Sequence, residues 1–344
     1  MNLFTGAPNK QKSVLGIGNA LIDVLINITD DSVLQKFGLP KGSMTLVDAA
    51  LSSEIKKETK INTRIIQTGG SAANTIHGIA KLGGSCGYIG KISEDEFGNF
   101  YLEDFINNKI NTHFFYSETG TGHATGLISP DSERTFGTYL GAAMELVAEE
   151  MNHEIFRDYG ILHIEGYLVQ NHALIEAAMR IAKENGLLVS IDMASFNIVE
   201  ANIDFLHRII RKYVDIVFAN EEEATSLTGK NPEEALLEIA EMCTIAVVKL
   251  GAQGSIIKSG DRIIRIDAIP AKSIDTTGAG DIYASGFLYA LAENFDLEIA
   301  GKIGSLLAGK VVEIIGAKLP EQTWDSLRPK IELLKTINRP ASES

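Results

Sequence analysis

Apolar positions in this chain follow two rhythms, and the switch between them predicts its elements. "SVLGIGNALIDVLINI" (13–28) is almost continuously apolar and β-branched, as in one buried strand or two short ones. The loop "FGLPKGS" (37–43) follows, then a short strand around Met44–Val47. In "SAANTIHGIAKLGG" (71–84), Ala72, Ala73, Ile76, Ile79, Ala80 and Leu82 recur at helical spacing; Ser71 can cap this helix and Gly83-Gly84 can end it. Beyond it, strand-like runs ("CGYIG", "GILHIEG", "LLVSID", "VDIVFAN", "TIAVVKLG") alternate with helical patterns at 97–108, 171–184, 200–212 and 232–242.

That alternation predicts an α/β fold with a mainly parallel sheet covered by helices on both faces. Residues 111–139 break the rhythm, because "THFFYSE", "GHATGLISP" and "RTFGTYL" read as short strands with no helices between them. Together with parts of 19–48 they are expected to form a small β-sheet lid. Neither a repeat nor a Pro-rich linker interrupts the chain, so 1–344 reads as a single domain.

Charge narrows the partners. The 344 residues carry a formal net charge of −14, which repels nucleic acid and anionic membranes. A phosphate-bearing ligand would therefore need a local cradle. Cys86 and Cys243 lie in apolar surroundings and read as buried free thiols. The first residues, MNLFTGAPNKQK, have no long apolar core, and no run approaches a membrane span, so a cytoplasmic location is expected.

Two familiar signals fail on inspection. "GIGNAL" (16–21) starts like a dinucleotide fingerprint, but Leu21 stands at the third glycine position and a strand-like stretch follows. A nicotinamide oxidoreductase would require that fingerprint. "GSLLAGKV" (304–311) nearly spells a phosphate-binding loop, yet it ends in Val311 and lies inside a helical run.

Other stretches carry chemistry. Gly69-Gly70 precede a helix and leave room for a ligand against the backbone; Asn74 projects from its first turn with both a donor and an acceptor. Asn19 and Asp23 stand in the same style within "GNALID", where Asp23 either faces solvent or holds a ligand. Asn220 and Glu223 in "FANEEEA" share a face if helical, and such a pair can hold a hydrated Mg²⁺. In "DTTGAGD", Gly278-Ala279-Gly280 sit at a helix start, where backbone N–H groups can approach an anion, and Asp281 follows immediately.

Together "GNALID", "TGGSAANT", "NEEE", "VVKLGAQGS" and "DTTGAGD" closely resemble the PfkB, or ribokinase-like, family of sugar and nucleoside kinases, in order from about residue 13 to 320. "GNALIDV", "TGLISPDSERTFGTYLGAA" (125–143) and "IIGAKLP" look most like its adenosine-kinase-like branch. The resemblance implies a three-layer α/β/α domain with a β lid, and transfer of the ATP γ-phosphoryl group to a primary hydroxyl. Adenosine is the leading acceptor; a free sugar such as ribose or fructose, or a non-catalytic binding relative, are the alternatives.

By the same resemblance, Gly278, Ala279 and Gly280 form the anion hole and Asp281 is the base, with Arg134 as a lid arginine reaching the site. Asn19, Asp23, Gly69, Gly70 and Asn74 correspond to sugar-hydroxyl binders. Asn220, Glu223, Lys249, Gly251, Gly254 and Thr277 fall on the nucleotide side, with Glu223 organising Mg²⁺ through water. Asp275 and Thr277, with backbone carbonyls near "IIGAKLP" (314–320), match a loop pair that binds K⁺. Asp192 stands where several relatives carry asparagine, and His77 and His123 read as structural. The family also implies a monomer or a homodimer paired through the lid.

Overall fold

The computed structural model describes residues 12–60, 64–131 and 133–337; most of the N-terminal stretch read above lies outside them. Its strands are β1 (Ser13–Ile17), β2 (Leu21–Asn27), β3 (Met44–Leu46), β4 (Arg64–Gly69), β5 (Ser85–Ser93), β6 (Asn111–Ser117) and β7 (Gly122–Ile128). They continue as β8 (Arg134–Tyr139), β9 (Ile161–Glu165), β10 (Leu188–Asp192), β11 (Ile216–Asn220), β12 (Ile245–Lys249), β13 (Ser255–Ser259) and β14 (Arg262–Ile266).

Nine strands form one sheet in the order β14-β13-β12-β11-β10-β9-β1-β5-β6, parallel from β12 to β6. The period-2 pattern explains its two cores. On β1, Val14 belongs to one apolar cluster, while Leu15 and Ile17 belong to the other on the opposite face. Helices Ser71–Lys81, Ala279–Ala292 and Leu297–Val311 cover the first face. His172–Glu184, Ile203–Tyr213 and Pro232–Met242 cover the second. This is the three-layer α/β/α arrangement that the resemblance implied.

The second sheet has five strands, β3-β8-β7-β2-β4, and forms the lid. Two expectations change here. "THFFYSE" is not part of the lid: as β6 it pairs in parallel with β5 at the edge of the large sheet. Its partial exposure is that of an edge strand. The lid instead takes β4, antiparallel to β2, from a stretch not read as a strand. The run 13–28 is two strands, one in each sheet, so its break at Gly18-Asn19-Ala20 joins the two layers. The helical pattern at 200–212 is likewise divided, between Phe196–Ala201 and Ile203–Tyr213.

Both rejected signals stay rejected. "GSLLAGKV" lies within the helix Leu297–Val311, where a Cβ on Gly304 would stand 2.8 Å from the Tyr283 carbonyl, so its glycine permits close helix packing. Cys86 and Cys243 are free thiols, the first buried and the second half-buried, and burial pushes both up to about 12. Among the described residues no helix is long and apolar enough to cross a membrane.

Candidate active site

Four neighbouring parallel strands end on chemistry-bearing residues. Glu165, Asp192, Asn220 and Lys249 are the last residues of β9, β10, β11 and β12, and the register pairs Glu165 with Asp192 and Asn220 with Lys249. Ligands of parallel α/β sheets bind beyond these carboxyl ends. Here the lid and the start of the helix Ala279–Ala292 complete a cleft of about 1400 Å³.

Gly278 caps that helix at φ 73°, a left-handed conformation open to glycine, and a Cβ there would sit 2.3 Å from that of Ala317. The turn brings Gly278, Ala279 and Gly280 to the wall of the cleft, where the Ala279 N–H donates to the Thr276 carbonyl at 3.1 Å, and Asp281 follows in the first turn. Asp281 Oδ1 accepts from Ser71 Oγ at 2.7 Å and Oδ2 from Asn74 Nδ2 at 2.9 Å. Burial pushes this carboxyl up to about 6, against the bonds from Asn74 and Ser71 that favour its charged form. Ser71 is therefore no cap. The helix starts from Gly70 at φ 99°, and the Ser71 hydroxyl holds Asp281 instead.

Asn74 is buried, and its Oδ1 meets no donor among the described residues. Asp23 occupies a half-buried place lining the cleft from β2. Gly69, diagonal to it on β4, makes room for it, since a Cβ there would fall 2.5 Å from the carboxylate. Burial raises Asp23 to about 6, with Lys318 and Gln67 opposing. The remaining lid side chains facing the cleft include Leu21, Leu46, Ala124, Phe136 and Thr138, whose Oγ1 has no partner among the described residues, so this end combines one carboxylate and one hydroxyl with an apolar wall.

Sequence reasoning missed Glu165, which is 1% exposed. It accepts from Asn19 Nδ2 at 2.6 Å and from the Ala72 backbone N–H at 3.1 Å, and burial raises it to about 7. The strand "GILHIEG" held the only signal, a carboxylate closing an apolar run; its partners lie 146 and 93 residues away.

Asn220 and Glu223 form a reciprocal capping box. Asn220 Oδ1 accepts from the Glu223 N–H at 2.8 Å, while Glu223 accepts from the Asn220 N–H at 2.8 Å and from its Nδ2 at 2.7 Å. Burial raises Glu223 to about 7. Among the described residues no group of three or more His, Cys, Asp or Glu stands ready to hold a metal directly. Both residues line the cleft, and an amide with a carboxylate suits a metal held through water. Gly254 (φ 90°) turns the chain beside the cleft where a Cβ would strike the Ile266 carbonyl; Gly251 lines the same turn.

Arg134 and Asp275 meet each other. Arg134 Nη1 donates to Asp275 Oδ2 at 2.6 Å, and neither residue lines the cleft. Asp275 also accepts from the Gly316 N–H at 2.7 Å and from Thr277 Oγ1 at 2.7 Å. The Arg134 guanidinium is thus held by a carboxylate, within electrostatic reach of Asp23. The Asp275 side chain, with an arginine against it and Thr277 bonded to it, does not fit a second cation. Lys249 reaches the cleft and donates to Asp192 Oδ2 at 2.7 Å. His77 packs with Asp104 and Lys318, and His123 with Ser52, away from the cleft.

The chain is similar to the solved structure of a probable sugar kinase from Rhizobium etli, at 32% identity and a TM-score of 0.84 over 93% of this chain and 99% of that one. Its similarity to an adenosine kinase from Sinorhizobium meliloti is 31% identity with a TM-score of 0.84, over 93% and 99%. A 5-dehydro-2-deoxygluconokinase from Clostridium botulinum is 32% identical over 71% of this chain and 78% of that protein. The model of the pfkB family carbohydrate kinases matches residues 42–324. The chain belongs to that family, and is an ATP-dependent phosphotransferase acting on a sugar or nucleoside.

Proposed function

We propose that the protein transfers the γ-phosphoryl group of ATP to the primary hydroxymethyl of a nucleoside, adenosine first among them, with Asp281 as general base. The observation that carries this reading is the position of Asp281: a carboxylate three residues past the Gly278 cap, in the first turn of its helix, half-buried in the cleft and oriented by Ser71 and Asn74. As the acceptor oxygen attacks phosphorus, its proton passes to Asp281, the new O–P bond forms and the bond to the β-phosphate oxygen breaks towards ADP. Backbone N–H groups of this turn other than that of Ala279, which donates to the Thr276 carbonyl, stabilise the charge on the transferring group.

The free Oδ1 of Asn74 and the Asp23 carboxylate are suited to accepting hydrogen bonds from ribose hydroxyls. A flat base fits the apolar wall of Leu21, Leu46, Ala124 and Phe136 better than a free sugar would, because the several hydroxyls of a sugar would meet only the Thr138 hydroxyl there. Asn220 and Glu223 lie where they can order waters of a Mg²⁺ that, when bound, neutralises phosphate charge. A K⁺ role would rest on the loop at Asp275–Thr277 together with backbone carbonyls of 314–320.

An ATP-coupled screen of nucleosides and free sugars, with mass analysis of products, tests this. A 5′-phosphorylated nucleoside as the preferred product supports the reading. Preference for a free sugar would replace the acceptor, and no ATP consumption with any acceptor would defeat it.

A further inference from the structure

Carboxylates dominate the cleft, and Lys249 is the one cationic side chain lining it among the described residues. Helix N–H groups supply only partial charge, so a protein cation over the anion-hole turn would add to what a bound Mg²⁺ gives the phosphates. The lid arginine is held elsewhere by Asp275. Lys249 ends β12, and its ammonium lies 2.9 Å from where a Cβ on Gly280 would stand, directly over the anion-hole turn. Gly280 thus keeps its side of the turn open to an ammonium as well as to phosphate.

We propose that Lys249 is the catalytic cation of this enzyme: its ammonium leaves or shares Asp192 to bind the transferring phosphoryl group, and Asp192 is the positioning residue that holds it over Gly280 beforehand. The inference rests on the kinase reading of this cleft with Asp281 as base. The lysine stays protonated throughout, since the acceptor proton goes to Asp281 and the electron pair of the broken P–O bond leaves with ADP. Burial works against its charge, but Asp192 and Glu223 outweigh burial and hold the ammonium above its ordinary range. The Asp192–Lys249 bond is 2.7 Å long with side-chain exposures of 7% and 14%, so the cation is pre-positioned in a largely desolvated place.

The test is chemical rescue. Lys249→Cys removes the ammonium, and 2-bromoethylamine restores it as a thioether analogue of lysine. Cys86 and Cys243 are shielded, with thiols raised to about 12, and treated wild type controls for them. Phosphoryl transfer in single turnover and ATP binding by calorimetry are measured for wild type, Lys249→Met, Lys249→Cys before and after alkylation, and Asp281→Asn. We expect Lys249→Met and untreated Lys249→Cys to be about 10²–10³-fold slower. Alkylation should return at least tenfold of that loss, by roughly the measure of one restored charge-assisted contact. Asp192→Asn should slow wild type yet add nothing to Lys249→Met, a non-additivity that a purely structural aspartate would not show. Lys249→Met within about threefold of wild type, or folded, ATP-binding alkylated protein with no gain, overturns the role of Lys249. If Asp281→Asn is inactive in that same experiment, the base assignment survives. An Asp281→Asn variant as fast as wild type would instead defeat the reading beneath it.

Discussion

Asn74 and Asp281 belong to different helices 207 residues apart in sequence, and the Asn74 amide donates to the Asp281 carboxylate at 2.9 Å. The bond fixes one carboxylate oxygen in the cleft and favours its ionised form, while burial works the other way and raises it to about 6. Removing the amide with Asn74→Ala lets burial dominate. We expect the acid limb of the kcat–pH profile to move upward by about half to one pH unit, with kcat at pH 8 reduced about tenfold through lost orientation. An unmoved limb, measured between pH 5 and 9, would detach Asn74 from the base.

Glu165 makes the opposite demand on stability. Its folded carboxyl is raised from 4.5 to about 7, so between those values the folded state holds a proton that the unfolded chain has lost. Its contribution is therefore fully present below about pH 4.5 and is lost as pH rises through 7. Glu165→Gln lacks that slope. Relative to wild type, denaturant unfolding should show the variant gaining about 2–3 kcal/mol between pH 4.5 and 8. Parallel stability curves would mean that Glu165 titrates near its ordinary value.

Breaking the Arg134–Asp275 pair should act on stability before catalysis. Both side chains are 11% exposed, and Asp275 keeps its bonds from Gly316 and Thr277 when the arginine is removed. Arg134→Ala should cost about 2 kcal/mol, less than the loss of a partner from a fully buried pair. Arg134→Lys, which retains the charge, should leave kcat within about twofold. A large fall in kcat with unchanged stability would return the arginine to the phosphate.

Monovalent cations offer a simpler check. Replacing K⁺ by tetramethylammonium at equal ionic strength should lower turnover if loop carbonyls behind the anion hole bind the smaller ion. Equal rates would remove K⁺ altogether.

Much of this site is local, and local features were legible. The glycine-capped turn before Asp281 and the i, i+3 spacing of Asn220 and Glu223 each need only a few consecutive residues. The parallel sheet was legible because each of its central strands is an apolar run followed by a helical pattern. What escaped depends on contacts between distant segments. β4 reads as a strand only against β2, and Glu165 acquires its role only when Asn19 and Ala72 fold over it. Asp275 looked free for a cation until the lid brought Arg134 across 141 residues. By contrast, the β13–β14 hairpin carried a signal that went unread: Gly260-Asp261 between two β-branched runs, with Gly260 at φ 54°.

The most direct measurement is single-turnover phosphoryl transfer by Asp281→Asn, with acceptor and ATP binding followed by calorimetry on the same preparation. Asparagine keeps the shape and the reach of the side chain but cannot take the acceptor proton. We expect transfer to slow by roughly 10²–10⁴-fold, about 3–5 kcal/mol of barrier, with both affinities little changed. A variant that binds both substrates and transfers phosphate near the wild-type rate would contradict the assignment of Asp281 as the base.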